Sequence, residues 1–391
     1  MSDFWQPTDS AFIANPQPYY EKVRRQGAIF KAKTGDFVLL GYRACKDVLS
    51  DPSCITGLQA KRLQKIAEYA SDRDLELEHI SKLIKGMVIQ LNDPIHKGTR
   101  FELAKAWPAP QSIKTLAAKV IQKRVDALPD SFEAMNSLCK TIPVNIIASI
   151  LGFSSDMAMT YVADGLKVVQ ALDPYYSLRD LSEIAHSAYQ LHGFVTKTVA
   201  SPDFEPTRLA QAILRLGEAN DELSDTALFA FLFIAGFETT STLLATCLYH
   251  LIENPDVVAK VKAYGASTFV REILRIHSPV QITGRETTKE LTIEDTPIPA
   301  GSVLTLCLGA ANTDPRQFEN PLEINWTCRQ DLLSFGYGLH HCLGRQLAEI
   351  EATQFVEALL PQISGMQVTK GPIYENKFAV RSIQSMQIAL Q

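Results

Sequence analysis

The sequence predicts a mainly α-helical protein with small β-sheets, an α+β arrangement dominated by helices. Three observations lead there. An apolar, helix-like stretch of unusual length covers residues 225–254 and stops at Pro255. Helix-period patterns fill most of the chain between Gly98 and Ile276. Extended, turn-punctuated sequence is confined to residues 28–40, 279–321 and the C-terminal tail. The 391 residues, 46% of them hydrophobic, can bury a large core. No Gly/Ser-rich linker, low-complexity tract or repeat divides them, so residues 1–391 read as a single domain.

The elements follow in order. Residues 18–26 form a short helix. Gly35-Asp36 turns a hairpin between Ile29-Phe30 and residues 37–40, and residues 42–49 return to helix. Residues 54–90 are polar and irregular, with some helix over 60–70; Glu68, Asp72, Arg73, Asp74, Glu76 and Glu78 give the centre the character of a solvated lid. Helices are expected over 98–106, 113–128, 143–151, 156–172 and 181–200, with Pro129 and Asp173-Pro174 as breaks. Asp173-Pro-Tyr-Tyr176 reads as a surface turn. A short helix spans 267–276, and strand-like residues return at 378–380 and 386–390.

Composition excludes several classes. A net charge of −5 argues against non-specific nucleic-acid binding. Seven scattered cysteines, an odd number, fit reduced cytoplasmic usage rather than a disulfide framework. The N-terminus has neither a basic nor an apolar leader region, so no signal peptide or membrane anchor is expected. The 225–254 stretch is long enough for a membrane span, but Glu238 and the cluster Thr239-Thr240-Ser241-Thr242 near its centre favour a buried core helix.

The most informative segment is Phe335-Gly-Tyr-Gly-Leu-His-His-Cys-Leu-Gly344. It sets Cys342 between glycine-bearing turns, with Leu343, Leu347 and Ile350 behind it at helical spacing. A lone cysteine is most often a small buried hydrophobe. A thiol at a helix start, however, has its thiolate stabilised by free backbone N–H groups and is a soft ligand for iron. No C-x-x-C pair exists to make a zinc site. The pattern F-G-x-G-x-H-x-C-x-G resembles the heme-binding loop of the cytochrome P-450 family, in its soluble bacterial form. The resemblance implies that fold, with heme b (iron protoporphyrin IX) between a long central helix and the cysteine loop and its helix. It makes Cys342 the axial thiolate ligand of the iron, with Phe335 and Gly336 against the cofactor.

Further motifs occur in family order. Ala235-Gly-Phe-Glu-Thr-Thr240 resembles the family's [A/G]-G-x-[D/E]-T oxygen-activating segment. Gly236 would then allow close approach and a kink, Glu238 would be the acid, and Thr239 the alcohol of a proton relay. Asn92-Asp-Pro-Ile-His96-Lys-Gly-Thr-Arg100 matches D-P-x-H-x-x-x-R and places His96 and Arg100 one helical turn apart. These two, with Arg285 and His340, are the expected partners of the heme propionates. Glu272-Ile-Leu-Arg275 resembles the family's E-x-x-R pair, which joins a later arginine to brace the cysteine loop; Arg329 is the candidate third member. His341 is unassigned, and His79, His186, His192, His250 and His277 read as ordinary structural histidines. Two departures stand out. The connection 256–271 is short, and Asn312-Thr-Asp-Pro315 stands where relatives carry N-R-D-P.

The resemblance implies a heme-thiolate monooxygenase that hydroxylates a small apolar organic substrate. The chain has no flavin or iron–sulfur module, so a ferredoxin and its reductase are the expected electron donors, docking near Lys97, Lys105 and Arg345. Two rivals are a peroxide-dependent hydroxylase or oxidative coupling enzyme on the same fold, and a heme sensor or electron-transfer protein. No nucleic-acid or membrane partner is expected.

Overall fold

The computed structural model describes Trp5 and residues 9–70, 77–173, 178–220, 223–377 and 379–390. The expected turn at 174–176, the centre of the polar lid at 72–76 and Phe378 lie outside these residues. Two units emerge. The first comprises Met1–Ile55, Lys114–Ile142 and Thr239–Gln391, and the second Thr56–Ile113 and Pro143–Glu238.

The first unit holds the three sheets found among the described residues. The largest has five strands, in the order Ile29–Lys31, Phe37–Leu39, Val303–Cys307, Ile282–Thr287, Cys54–Ile55. The hairpin that opens it turns at Gly35, whose φ of +97° suits a residue without Cβ. Phe37–Leu39 pairs parallel to Val303–Cys307, and the other pairings are antiparallel. Ser131–Glu133, Ile383–Leu390 and Met366–Tyr374 form a second sheet, and Leu291–Ile293 with Thr296–Ile298 a third. Phe37, Leu39, Val48, Leu304, Leu306, Phe318 and Leu333 close into one buried cluster beneath the large sheet.

The second unit is helical. Among its elements are Leu58–Ala70, Glu78–Gly86, Ile95–Ala106, Leu178–Val199 and Arg208–Ala219. Phe153, Phe194 and Phe229 pack edge-on or tilted at 5.1 and 5.4 Å between centroids, with Phe233 and Phe237 continuing the aromatic core.

Several elements differ from expectation for identifiable reasons. Glu78–Gly86 is helical where irregular chain was expected. The 156–172 stretch splits into Ser155–Thr160 and Val162–Val169, because Tyr161 leaves helical geometry with its ring stacked on Phe194 at 4.3 Å. Arg208–Ala219 was not foreseen, although Thr207 caps it by accepting the Ala210 N–H. Pro255 ends the long helix Asp225–Glu253 and also opens another, Pro255–Tyr264, taking the first helical position where its missing N–H costs nothing. That helix and Gly265, at φ +92°, occupy the short connection. The four-residue helix Leu308–Ala311 interrupts the expected extended region, and Met366–Tyr374 is an additional strand.

The long helix passes a length and hydropathy test for a membrane span, yet 78% of its most apolar window is buried within the protein. It is a core helix.

Candidate functional site

The cysteine loop lies in the first unit. Gly336 and Gly338 adopt φ of +68° and +67°, the left-handed region where a Cβ is strained. A Cβ on Gly338 would also collide with the Leu49 carbonyl. Residues 338–340 make one 3-10 turn, and the Cys342 N–H donates to the Phe335 carbonyl at 2.9 Å, closing the loop on itself. The following helix, Arg345–Leu359, begins three residues beyond the cysteine. Cys342 is exposed, whereas Cys45, Cys54, Cys139, Cys247 and Cys307 are buried. Burial pushes the Cys54 thiol up to about 11 and holds Cys45, Cys139, Cys247 and Cys307 protonated as well. Of the remaining two, Cys328 is partly buried and Cys342 is the exposed one.

Below the loop lies a buried polar brace. Glu272 and Arg275 are each 1% exposed and joined by hydrogen bonds of 2.8–3.1 Å. Arg275 also donates to the carbonyls of Asn312, Pro321 and Glu323, and Glu272 accepts the Asn325 N–H at 2.8 Å. Here the expected third member is corrected: Arg329 is exposed and reaches neither residue, and main-chain groups take its place.

Sequence reasoning missed a second layer. Asn312 is fully buried; its Nδ2 donates to Ser278 Oγ and Ser334 Oγ at 2.8 Å each, and its Oδ1 accepts the Leu333 N–H. This fastens the chain immediately before Phe335. The next residue, Thr313, needs no surface arginine contact: it is buried, donates to Gln17 Oε1 and accepts from Arg24.

Arg285 is 4% exposed on strand Ile282–Thr287 and, among the described residues, donates only to Gly284 O and Thr283 Oγ1. Desolvation brings its guanidinium down to about 10, and no carboxylate among the described residues pairs with it. A buried cation answered only by neutral acceptors suits an incoming carboxylate, the chemistry of a heme propionate. His340 is half-buried in the cysteine loop. Arg345 pairs with Glu349 at 2.9 Å and lies over the Phe335 ring.

In the second unit, His96 and Arg100 share one face of Ile95–Ala106. His96 is buried with Nδ1 3.7 Å from Asp93, and Arg100 is half-buried. Lys97 and Lys105 on the same helix are exposed.

The acid and alcohol sit in mid-helix on Asp225–Glu253. Glu238 is 4% exposed, and Phe237, Thr240 and Ser241 are buried. Ala235 is exposed, and Gly236 and Thr239 partly so. These three lie on one stripe of a helix otherwise closely covered. Gly236 is held for a further reason that the sequence did not reveal. A Cβ there would lie 2.6 Å from Ile147 Cγ1, so the glycine also admits the helix Thr141–Leu151.

Comparison with known proteins agrees with this chemistry. The family described as Cytochrome P450 matches residues 179–263 and 266–380. A putative cytochrome P450 133B2 from Xylella fastidiosa is 28% identical over 376 residues, covering 92% of this chain and 91% of that protein. A putative cytochrome P450 123 from Mycobacterium tuberculosis is 29% identical over 384 residues, covering 93% and 90%. Among solved structures, ligand-free CYP164A2 of Mycobacterium smegmatis superposes with a TM-score of 0.82 at 25% identity over 98% of each chain. P450BioI in complex with an acyl carrier protein superposes at 0.85 with 23% identity, over 98% of this chain and 100% of that one.

Proposed function

The chain belongs to the cytochrome P450 family, and from that premise we infer that it is a monooxygenase whose heme iron is held by the Cys342 thiolate. Enzymes of this family carry heme on a cysteine thiolate, and the heme supplies the iron at which dioxygen is reduced. The observation that carries the assignment to Cys342 is its exposure in a self-closed glycine loop, set against five buried and protonated thiols and the partly buried Cys328, which has no such loop around it.

The chain's own residues divide the work. Phe335 and Gly336 line the ligand loop, and the Cys342 backbone N–H, bound to Phe335 O, closes the loop that carries the sulfur. His96, Arg100, Arg285 and His340 hold the two propionates. Glu238 supplies a proton and Thr239 Oγ relays it along the open stripe of the long helix. The small side chains of Ala235 and Thr239 leave room there for a small apolar substrate, and the surrounding apolar side chains exclude water. The whole chain acts as one P450 domain in the cytoplasm. Electrons arrive from a ferredoxin and its reductase. Charge reversal at the exposed Lys97 and Lys105, or at Arg345, is expected to slow reduction several-fold without changing substrate affinity, as stopped-flow reduction would show.

The test is spectroscopic and kinetic. The reduced carbonyl adduct of the wild type should show the anomalous red-shifted Soret band of thiolate coordination, and Cys342→Ser should lose it. Thr239→Ala should keep consuming dioxygen while releasing hydrogen peroxide. Retention of the band in the serine variant overturns the ligand assignment, and tight coupling of oxygen use to product in Thr239→Ala overturns the relay.

A further inference from the structure

A cavity of about 430 Å³ lies wholly within the first unit. Its walls include Tyr249 and His250 near the end of the long helix, His277 after helix Ala266–Ile276, and Tyr374 and Arg381 of the C-terminal sheet region. It contains none of the residues assigned to the heme, and sequence reasoning treated its histidines as structural.

The charge in this cavity is unbalanced. The Arg381 guanidinium stacks on the Tyr374 ring at 3.8 Å and donates to the carbonyls of Ile13 and Ala14 at 3.2 and 2.6 Å. Carbonyls orient a guanidinium without neutralising it, and among the described residues no carboxylate pairs with it. Beside it, the His250 and His277 rings lie tilted by 43°, with centroids 4.5 Å apart. Burial, reinforced by Arg381, lowers His250 to about 4 and His277 well below its ordinary value. The other polar lining is occupied: Gln281 accepts from Tyr20 and donates to the Ser278 carbonyl, and Gln17 donates to Ile276 O. The charged groups around the histidine pair are therefore Arg381 from the sheet region and the ion-paired Arg275 from helix Ala266–Ile276. Glu253 stands exposed one turn beyond Tyr249, and the phenols of Tyr249 and Tyr374 complete the set.

We propose that this cavity is a second binding site, distinct from the heme site, for the carboxylate of a small organic acid, with Arg381 as the anchor, His250 and His277 as the adjoining donors, and Tyr249 and Tyr374 against the ligand's body. A carboxylate supplies the missing negative charge and suits the planar guanidinium. The volume falls in the range of small-molecule sites and exceeds what an inorganic ion fills. Burial is the main cause that keeps the histidines neutral and Arg381 a lesser one; a carboxylate beside the rings attracts the proton directly and also offsets Arg381, so an imidazole gains a proton as the ligand enters. The sign follows: carboxylate affinity rises as the pH falls.

The test uses the heme-loaded protein and sodium benzoate, with benzamide as the uncharged isostere, in calorimetric titrations accompanied by Soret spectra. Benzoate should bind one to one and leave the Soret band unmoved. Its affinity should rise several-fold as the pH falls from about 7.5 to about 5.5, while benzamide fails to bind. Arg381→Gln should weaken benzoate at least tenfold. Because Arg381 also ties down residues 13 and 14, His250→Gln provides a second variant, which should keep the fold, weaken benzoate a few-fold and flatten the pH dependence. Equal binding of benzamide, a Soret shift that tracks occupancy, no saturable binding, or binding indifferent to both substitutions would each overturn the proposal.

Discussion

The cysteine loop and the middle of the long helix carry the groups proposed to hold the iron and to move the proton, and they are held in place by different physics. The loop, residues 335–344, has little regular structure and closes on itself through few backbone bonds, among them Cys342 N–H to Phe335 O and His341 N–H to Gly338 O. The chain leading into it is anchored by buried hydrogen bonds: Asn312, Ser278 and Ser334 hold residues 333–334, and Glu272 and Arg275 hold residues 312 and 321–325. The stretch Ala235–Thr239 needs no such brace because the helix closes its own hydrogen bonds. It is positioned by shape: Gly236 admits Ile147, and Gly165 lies so near Phe237 that a Cβ would come within 3.3 Å of the ring. Irregular chain is positioned by directional polar bonds, and regular chain by close packing.

The largest expected effect breaks the polar side of this contrast. Arg275→Ala leaves the Glu272 carboxylate buried without its cation and frees three carbonyls. The expected cost is about 3–5 kcal/mol, read as a fall in the urea midpoint together with loss of bound heme. A variant that kept both would show that the loop does not depend on its brace.

The long helix has its own weak point at its C-terminal end, where acid acts. His250 titrates at about 4 when folded against the ordinary 6.5, so the unfolded chain takes up the proton first. Stability is therefore full above about pH 6.5 and falls as the pH drops toward 4, by about 3 kcal/mol from this ring, with His277 acting in the same direction. Urea midpoints measured across this range should fall on the acid side, and His250→Gln should flatten the fall. An unchanged acid arm in that variant would move the sensitivity elsewhere.

The shape-based side is tested by Gly236→Ala, whose methyl would meet Ile147. The expected loss is about 1–3 kcal/mol, partly recovered in Gly236→Ala with Ile147→Val. Full additivity of the two changes would argue against direct packing.

The same contrast explains what was legible in the sequence. The long helix, the opening hairpin and the helical body announce themselves through local periodicity and a Gly35 turn, and the glycines of the cysteine loop mark its left-handed turns. The E-x-x-R pair is visible as spacing, but its partners are main-chain carbonyls about forty to fifty residues away, which carry no side-chain signature. That is why an arginine, Arg329, was expected where backbone serves. Asn312 and Ser334 escaped notice because a buried amide and hydroxyl look like any others until the fold brings them together. The helices Arg208–Ala219 and Pro255–Tyr264 did leave local signals, a Thr cap and a proline at the first position, and Pro255 was read only as a stop.

The smallest expected effect separates bracing from mere burial. Ser334 Oγ donates to Leu274 O at 2.7 Å, lies 2.9 Å from Ser278 Oγ and accepts from Asn312 Nδ2. Ser334→Ala removes all three contacts, but Asn312 Nδ2 and the Leu274 carbonyl each keep a bond to Ser278 Oγ, so no partner is left unsatisfied and about 1 kcal/mol should be lost. Ile147→Val, on the packed side, should cost a similar 0.5–1.5 kcal/mol, roughly the loss of one methylene group. The two variants should part in what they do to the cysteine. Because Ser334 directly precedes Phe335, its loss should broaden or shift the Soret band of the heme-loaded protein, whereas Ile147→Val should leave the band alone at equal stability. If both variants leave the spectrum unmoved, the Ser278–Asn312–Ser334 cluster stabilises the fold without setting the position of the sulfur.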